Sequence, residues 1–124
     1  MNTSYNDKNS HLDIAEKYYA HMLNKNFDNM AECLHPDVIF IGPLAKMSGK
    51  EAVVSAAKNL SQILKSIEIR SKFSSGNQIM LAYDFMFPAP IEKLRAAVLM
   101  DYKNDQISKI ELFYDGRPFE QKKN

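Results

Sequence analysis

The chain has one cysteine, Cys33, and three histidines, and its apolar runs are only a few residues long. A lone cysteine excludes an internal disulfide and any zinc cage built from several thiolates. His11, His21 and His35 stand 10 and 14 residues apart, so none forms the i, i+4 pair that seeds a metal site on one helix face. No metal and no cofactor are expected. No apolar run approaches the roughly 20 residues that cross a bilayer. The opening MNTSYNDKNS is polar and lacks the apolar core of a secretory signal, which leads to the expectation of a cytoplasmic protein without membrane contact. A surplus of one charge is missing too: sixteen Lys and Arg against fifteen Asp and Glu leave +1. Beyond Lys122 and Lys123 no basic run could follow a phosphate backbone, so nucleic acid is not an expected partner.

What is present is enough apolar material for one core. With 124 residues, 45% of them hydrophobic, the chain can bury roughly two thirds of its unfolded surface as a single domain. That domain is expected over residues 11–119, with a poorly ordered start (1–10) and a short tail (120–124).

Ser10 with Asp13 reads as a helix start, and Leu12, Ala15, Tyr18, Tyr19, Met22 and Leu23 follow at helical spacing. Phe27, Met30, Ala31 and Leu34 repeat that spacing in a shorter helix, expected to end near His35 because Pro36 disfavours helical geometry in the residue before it. Val38 to Ile41 then reads as a strand. Ser48 and Glu51 match a capping box for a third helix whose stripe runs from Ala52 to Ile67.

From Ile67 the period becomes two. Ile67, Ile69 and Phe73 alternate with Glu68, Arg70 and Lys72, and after the turn SSGN a strand presents Ile79, Leu81, Tyr83, Phe85 and Phe87 on one face. Pro88 and Pro90 end it. Leu94, Ala96, Val98, Met100 and Tyr102 define a further strand. Asn104-Asp105 turns the chain into a last one with Ile107, Ile110, Leu112 and Tyr114. Three helices gathered before a strand meander indicate an α+β domain in the order helix, helix, strand, helix, four strands.

This order, together with YYAHMLNKNFDNMAECLHPDVIF, SGKEAV and ISKIELFYDGRPF, resembles the nuclear-transport-factor-2-like (NTF2-like) superfamily. That group includes SnoaL-like polyketide cyclases, ketosteroid isomerases and limonene epoxide hydrolases. The resemblance covers about residues 10–119. It implies an α+β roll, a strongly curved and mostly antiparallel sheet wrapped around the long helix as a cone with an apolar pocket. It also implies a homodimer through the outer sheet face, where the alternation places Met80, Met86, Ala97 and Leu99 among charges.

Ketosteroid isomerase-like members use an aspartate base, a tyrosine and a protonated aspartate. The resemblance carries the tyrosine to Tyr19, but it carries the base to Gly42 and the second acid to Val98, neither of which titrates. Tyr19 can donate a hydrogen bond and is a poor base at neutral pH. The other candidates are Asp37 and His35. Asp37 after Pro36 reads as a turn residue capping backbone donors, or as a rim acid paired with His35. His35 reads as a helix C-terminal residue or as that partner. Asp84, Arg95, Asp101, Glu111 and Asp115 alternate onto the outer face, away from any epoxide hydrolase-like constellation, unless a bulge turns one inward.

The expected pocket lining is Tyr19, Leu23, Phe40, Tyr83 and Phe85, with Val98, Met100, Leu112 and Tyr114 from the last strands. Such a surface suits a small apolar molecule with one or two oxygens, or simply fills the core. The expectation is a SnoaL-like binder of a small hydrophobic ligand, polyketide-like, steroid-like or otherwise cyclic, with catalysis unassigned. The alternatives are an isomerase, cyclase or lyase on such a substrate using Tyr19 with Asp37, His35 or Asp84, and a protein-interaction module using the outer sheet face.

Overall fold

The computed structural model describes residues 3–120; Met1, Asn2 and residues 121–124, which include most of the expected tail, lie outside them. The elements are α1 (Thr3–Leu23), α2 (Phe27–Glu32), β1 (Leu34–Ile41), β2 (Lys46–Ser48), α3 (Lys50–Ser61), β3 (Ser66–Ser75), β4 (Gln78–Met86), β5 (Lys93–Lys103), β6 (Gln106–Tyr114) and α4 (Arg117–Glu120). The six strands form one curved, unclosed sheet in the order β2-β1-β6-β5-β4-β3. All neighbours are antiparallel except β1 and β6, which run parallel.

The concave face of the sheet carries the even residues of β5 and the odd residues of β4, as their alternation requires. Ile79, Leu81, Tyr83, Val98 and Met100 are essentially inaccessible. α1 packs on β3 and β4, and α3 packs on β1 and β2. α1 is further fixed to the β5–β6 hairpin by His11: its ring stacks on Tyr102 with centroids 4.2 Å apart, and the Tyr102 hydroxyl donates to the His11 carbonyl at 2.6 Å. At the other end of α1, Lys25 donates from Nζ to the Ser61 carbonyl at 2.7 Å, placing a cation at the negative end of α3.

The main elements follow the sequence pattern, with several boundaries corrected. α1 begins at Thr3 rather than Ser10, since no glycine or proline in TSYNDKN interrupts it. Ser48 forms no capping box. It pairs with Ile39 in the edge strand β2, and Gly49 at φ 94° stands at the N-cap with no side-chain cap bond. α3 ends at Ser61, short of the expected stripe, and leaves Ile63 47% exposed.

His35 is not a helix C-terminal residue, because α2 stops at Glu32 and His35 already belongs to β1. Pro36 sits where the β1–β6 register slips: Leu34 pairs with Ile107, but Ile39 pairs with Lys109. A residue without an N–H is tolerated in a strand at such an irregularity.

The largest departure is in β3. Ile69 pairs with Tyr83 and Ser71 with Ala82, so Arg70 is the extra residue of a β-bulge. Beyond it the faces exchange. Phe73, expected inward, pairs with Met80 on the outer face and is 63% exposed. Lys72 turns toward α1 and bonds Glu16 at 2.7 Å.

Candidate functional site

Between α1, α3 and the sheet lies a cavity of about 80 Å³. Tyr18, Tyr19 and Met22 reach it from α1, spaced so that one helix face presents all three. Val53, Ala56, Ala57 and Leu60 come from α3, Phe40 and Met47 from β1 and β2, and Phe85, Ile110 and Leu112 from β4 and β6. Phe40, Met47, Ala56, Leu60 and Leu112 are half-buried and form the rim, while the remaining walls are buried. The lining residues include no carboxylate, imidazole, ammonium or guanidinium group, and Tyr18 and Tyr19 are the ones among them whose side chains carry a hydroxyl.

The hydroxyl of the lining residue Tyr19 lies 2.6 Å from that of Tyr83, which does not line the cavity, with the two rings edge-on at 5.0 Å. Burial pushes both phenols well above their usual range, and the neighbouring phenols add to the effect at Tyr19. Tyr18 is raised by the same desolvation. These hydroxyls are neutral at any physiological pH and act as hydrogen-bond groups, not as bases.

Of the residues expected to line a pocket, Tyr19, Phe40, Phe85 and Leu112 line this cavity. Tyr83 is not among the lining residues but backs two of them, Tyr19 and Phe85, with ring centroids 5.0 and 4.8 Å away, while Val98 and Met100 are fully buried and do not line it. Leu23 and Tyr114 pack against the core without reaching the cavity, and Tyr114 meets Phe119 edge-on at 5.9 Å.

Asp37 is exposed on β1, and its backbone N–H donates to His35 Nδ1 at 3.0 Å. That pair does not line the cavity. At Gly42 an added Cβ would stand 3.0 Å from the Phe40 ring, so a side chain there must displace a cavity wall. Met22, Met47 and the α3 residues were not anticipated as lining. Their helical spacing identified a buried face but not a gap in it, and β2 is too short to register as a strand.

Asp84 does alternate onto the outer face, yet it is only 2% exposed. The bulge residue Arg70 covers it, with Nε 3.1 Å from Oδ1, and Arg95 Nε stands 3.8 Å from the same oxygen. At the end of β6, Arg117 donates to both oxygens of the exposed Asp115 and holds its carboxyl down to about 2.

The curved sheet over a long helix is the NTF2-like fold, and solved structures share it. A protein from Kribbella flavida superposes with a TM-score of 0.82 at 23% identity, covering 90% of this chain and 92% of that one. An NTF2-like protein from Cytophaga hutchinsonii gives 0.77 at 20% identity, covering 88% and 93%. An LEH-like epoxide hydrolase from M. tuberculosis gives 0.77 at 9% identity, covering 93% and 90%. No curated protein sequence matches. Residues 15–110 match the SnoaL-like domain, and the chain belongs to that family.

Proposed function

We propose that the protein binds a small apolar molecule in the cavity between α1, α3 and the sheet. The observation that carries this is the cavity's composition: an apolar wall whose lining includes the neutral phenols Tyr18 and Tyr19. Apolar pockets with a few placed polar groups bind by burial and orient by hydrogen bonding. The wall carries no carboxylate or imidazole, which favours binding over the acid–base chemistry of an isomerase, cyclase or lyase. Native mass spectrometry of the freshly purified protein, followed by denaturing extraction, tests the proposal. A stoichiometric apolar adduct is the expected result; a protein that stays at its apo mass and also takes up no small apolar molecule would place these side chains in a filled core.

A second proposal concerns the outer sheet face, which we assign to a second copy of this chain. Phe73 at 63%, Phe113 at 46% and Met80 at 36% exposure share that face with Leu99, Ala82 and Ala97. The register places this mainly apolar block, which Ser71 and Glu111 also enter at its edges, between a row of Gln78, Asp101 and Lys109 and a row of Glu68, Asp84 and Arg95. An apolar centre flanked by rows of mixed charge can pair with its own copy across a two-fold axis. The oligomeric peaks of the same mass spectra read this out.

A further inference from the structure

We infer that α4 is a gate: its Phe119 ring plugs the concave groove next to the cavity from within the same chain, and the groove opens when α4 swings away. This is a regulation of the ligand site proposed above and rests on that reading.

The position of the plug follows from strand direction. β4 and β6 each run antiparallel to β5, so the two point the same way. Phe85 on β4 and Leu112 on β6 line the cavity. Phe87 and Tyr114 are the next positions of the same alternation, about 7 Å further along each chain. Phe119 spans them, edge-on to both, with ring centroids 6.0 Å from Phe87 and 5.9 Å from Tyr114. The Phe85 and Phe87 rings are 6.1 Å apart, which puts Phe119 one ring beyond the cavity wall.

The attachment is light. α4 has four residues, one of them a proline. Among the described residues, the hydrogen bonds and ion pair of residues 115–119 stay within that stretch: Arg117 holds Asp115, and the Phe119 N–H donates to the Gly116 carbonyl at 3.1 Å. Toward the body, the Phe119 ring packs on the aromatic pair, and Gly116 lies against Leu44, where an added Cβ would stand 3.1 Å from the leucine side chain. Leu44 is itself 45% exposed. A surface cleft lined by Pro90, Ile91, Asp115, Arg117 and Pro118 leaves the side facing the β4–β5 connection unpacked. A short terminal element anchored by one half-buried ring, with no hydrogen bond to the sheet, belongs to the low end of local opening free energies.

The gate explains why a cone with so apolar an interior encloses only about 80 Å³. Part of the groove is filled by the chain itself, and a ligand larger than the cavity must displace that ring.

Two measurements on the full chain test this: ¹⁹F NMR with para-fluorophenylalanine incorporated at Phe119, and binding of N-phenyl-1-naphthylamine. That neutral dye is too large for the closed cavity, since even benzene occupies a site of roughly 150 Å³. Without dye, the fluorine should show relaxation dispersion from exchange with a solvent-exposed minor state. Saturation with dye should move it to the exposed position. For a minor state of about a tenth of the molecules, Phe119→Ala should bind the dye about tenfold more tightly than the unmodified chain. Should Phe119→Ala not fold, the fluorine measurements decide alone. A fluorine without exchange, or one that keeps its buried position with dye bound, would overturn the gate and leave the cavity proposal standing. Equal dye affinity in the two proteins would overturn the gate as well. An exchanging fluorine with no dye bound by either protein would uphold the opening of α4 and overturn the ligand reading.

Discussion

Arg70 and Asp84, 14 residues apart on neighbouring strands, meet through a 3.1 Å bond from Nε to Oδ1, and the arginine that makes it is the bulged residue of β3. The bond joins a 2%-exposed carboxylate to a side chain 37% exposed. Removing the arginine strips a buried charge of its main partner, and Arg95 at 3.8 Å compensates only in part. Arg70→Ala should therefore lower unfolding stability by about 2–3 kcal/mol in urea titration. Glu16→Gln, at a more exposed pair, should cost under about 1 kcal/mol. Equal effects would mean that burial of Asp84 does not govern the energetics.

The phenol pair should show coupling. Tyr19→Phe and Tyr83→Phe each leave a buried hydroxyl without its partner and should cost about 1–2 kcal/mol. The double variant removes both polar groups and should cost less than the sum of the two, measured as a double-mutant cycle. Strict additivity would show that the 2.6 Å contact contributes little.

Phe73→Asp and Phe113→Asp should each shift sedimentation from dimer to monomer at micromolar concentration while leaving the circular dichroism spectrum unchanged, because both side chains are exposed within one chain. A species that is monomeric before substitution would remove the assignment of that face.

Asp115 gives a pH test. Its carboxyl is held at about 2 in the folded chain against a usual value of 3.8, through hydrogen bonds from Arg117. A depressed folded value adds stability that is fully present above the unfolded value and is lost as pH falls toward the folded one. The Asp115 ¹³Cγ titration should have its midpoint near 2, and Arg117→Ala should return it toward 3.8.

Much of the fold was legible because periodicity is local. Tyr18 and Met22 lie one turn apart on a helix, and Leu81, Tyr83 and Phe85 alternate on a strand, so the buried face of each element could be read without knowing its neighbours. The turn at Asn104-Asp105 was legible for a similar reason: both residues adopt positive φ, at 53° and 62°, which Asn and Asp tolerate. Asp37 and His35 were harder to place, because Pro36 was read as ending a helix when it sits in an irregular strand.

The sequence by itself determined the α+β order, the inward face of β4, β5 and β6, and the approach of Tyr19 to an apolar interior. Local backbone preference and side-chain alternation are sufficient for these. Tertiary structure alone decided that β1 and β6 run parallel, that a gap of about 80 Å³ survives among the packed side chains, and that Asp84 is covered although it faces outward. It also decided the fate of Phe73. A single extra residue at Arg70 reverses every face beyond it, and that extra residue is defined only by pairing with β4, a relation the local pattern does not contain.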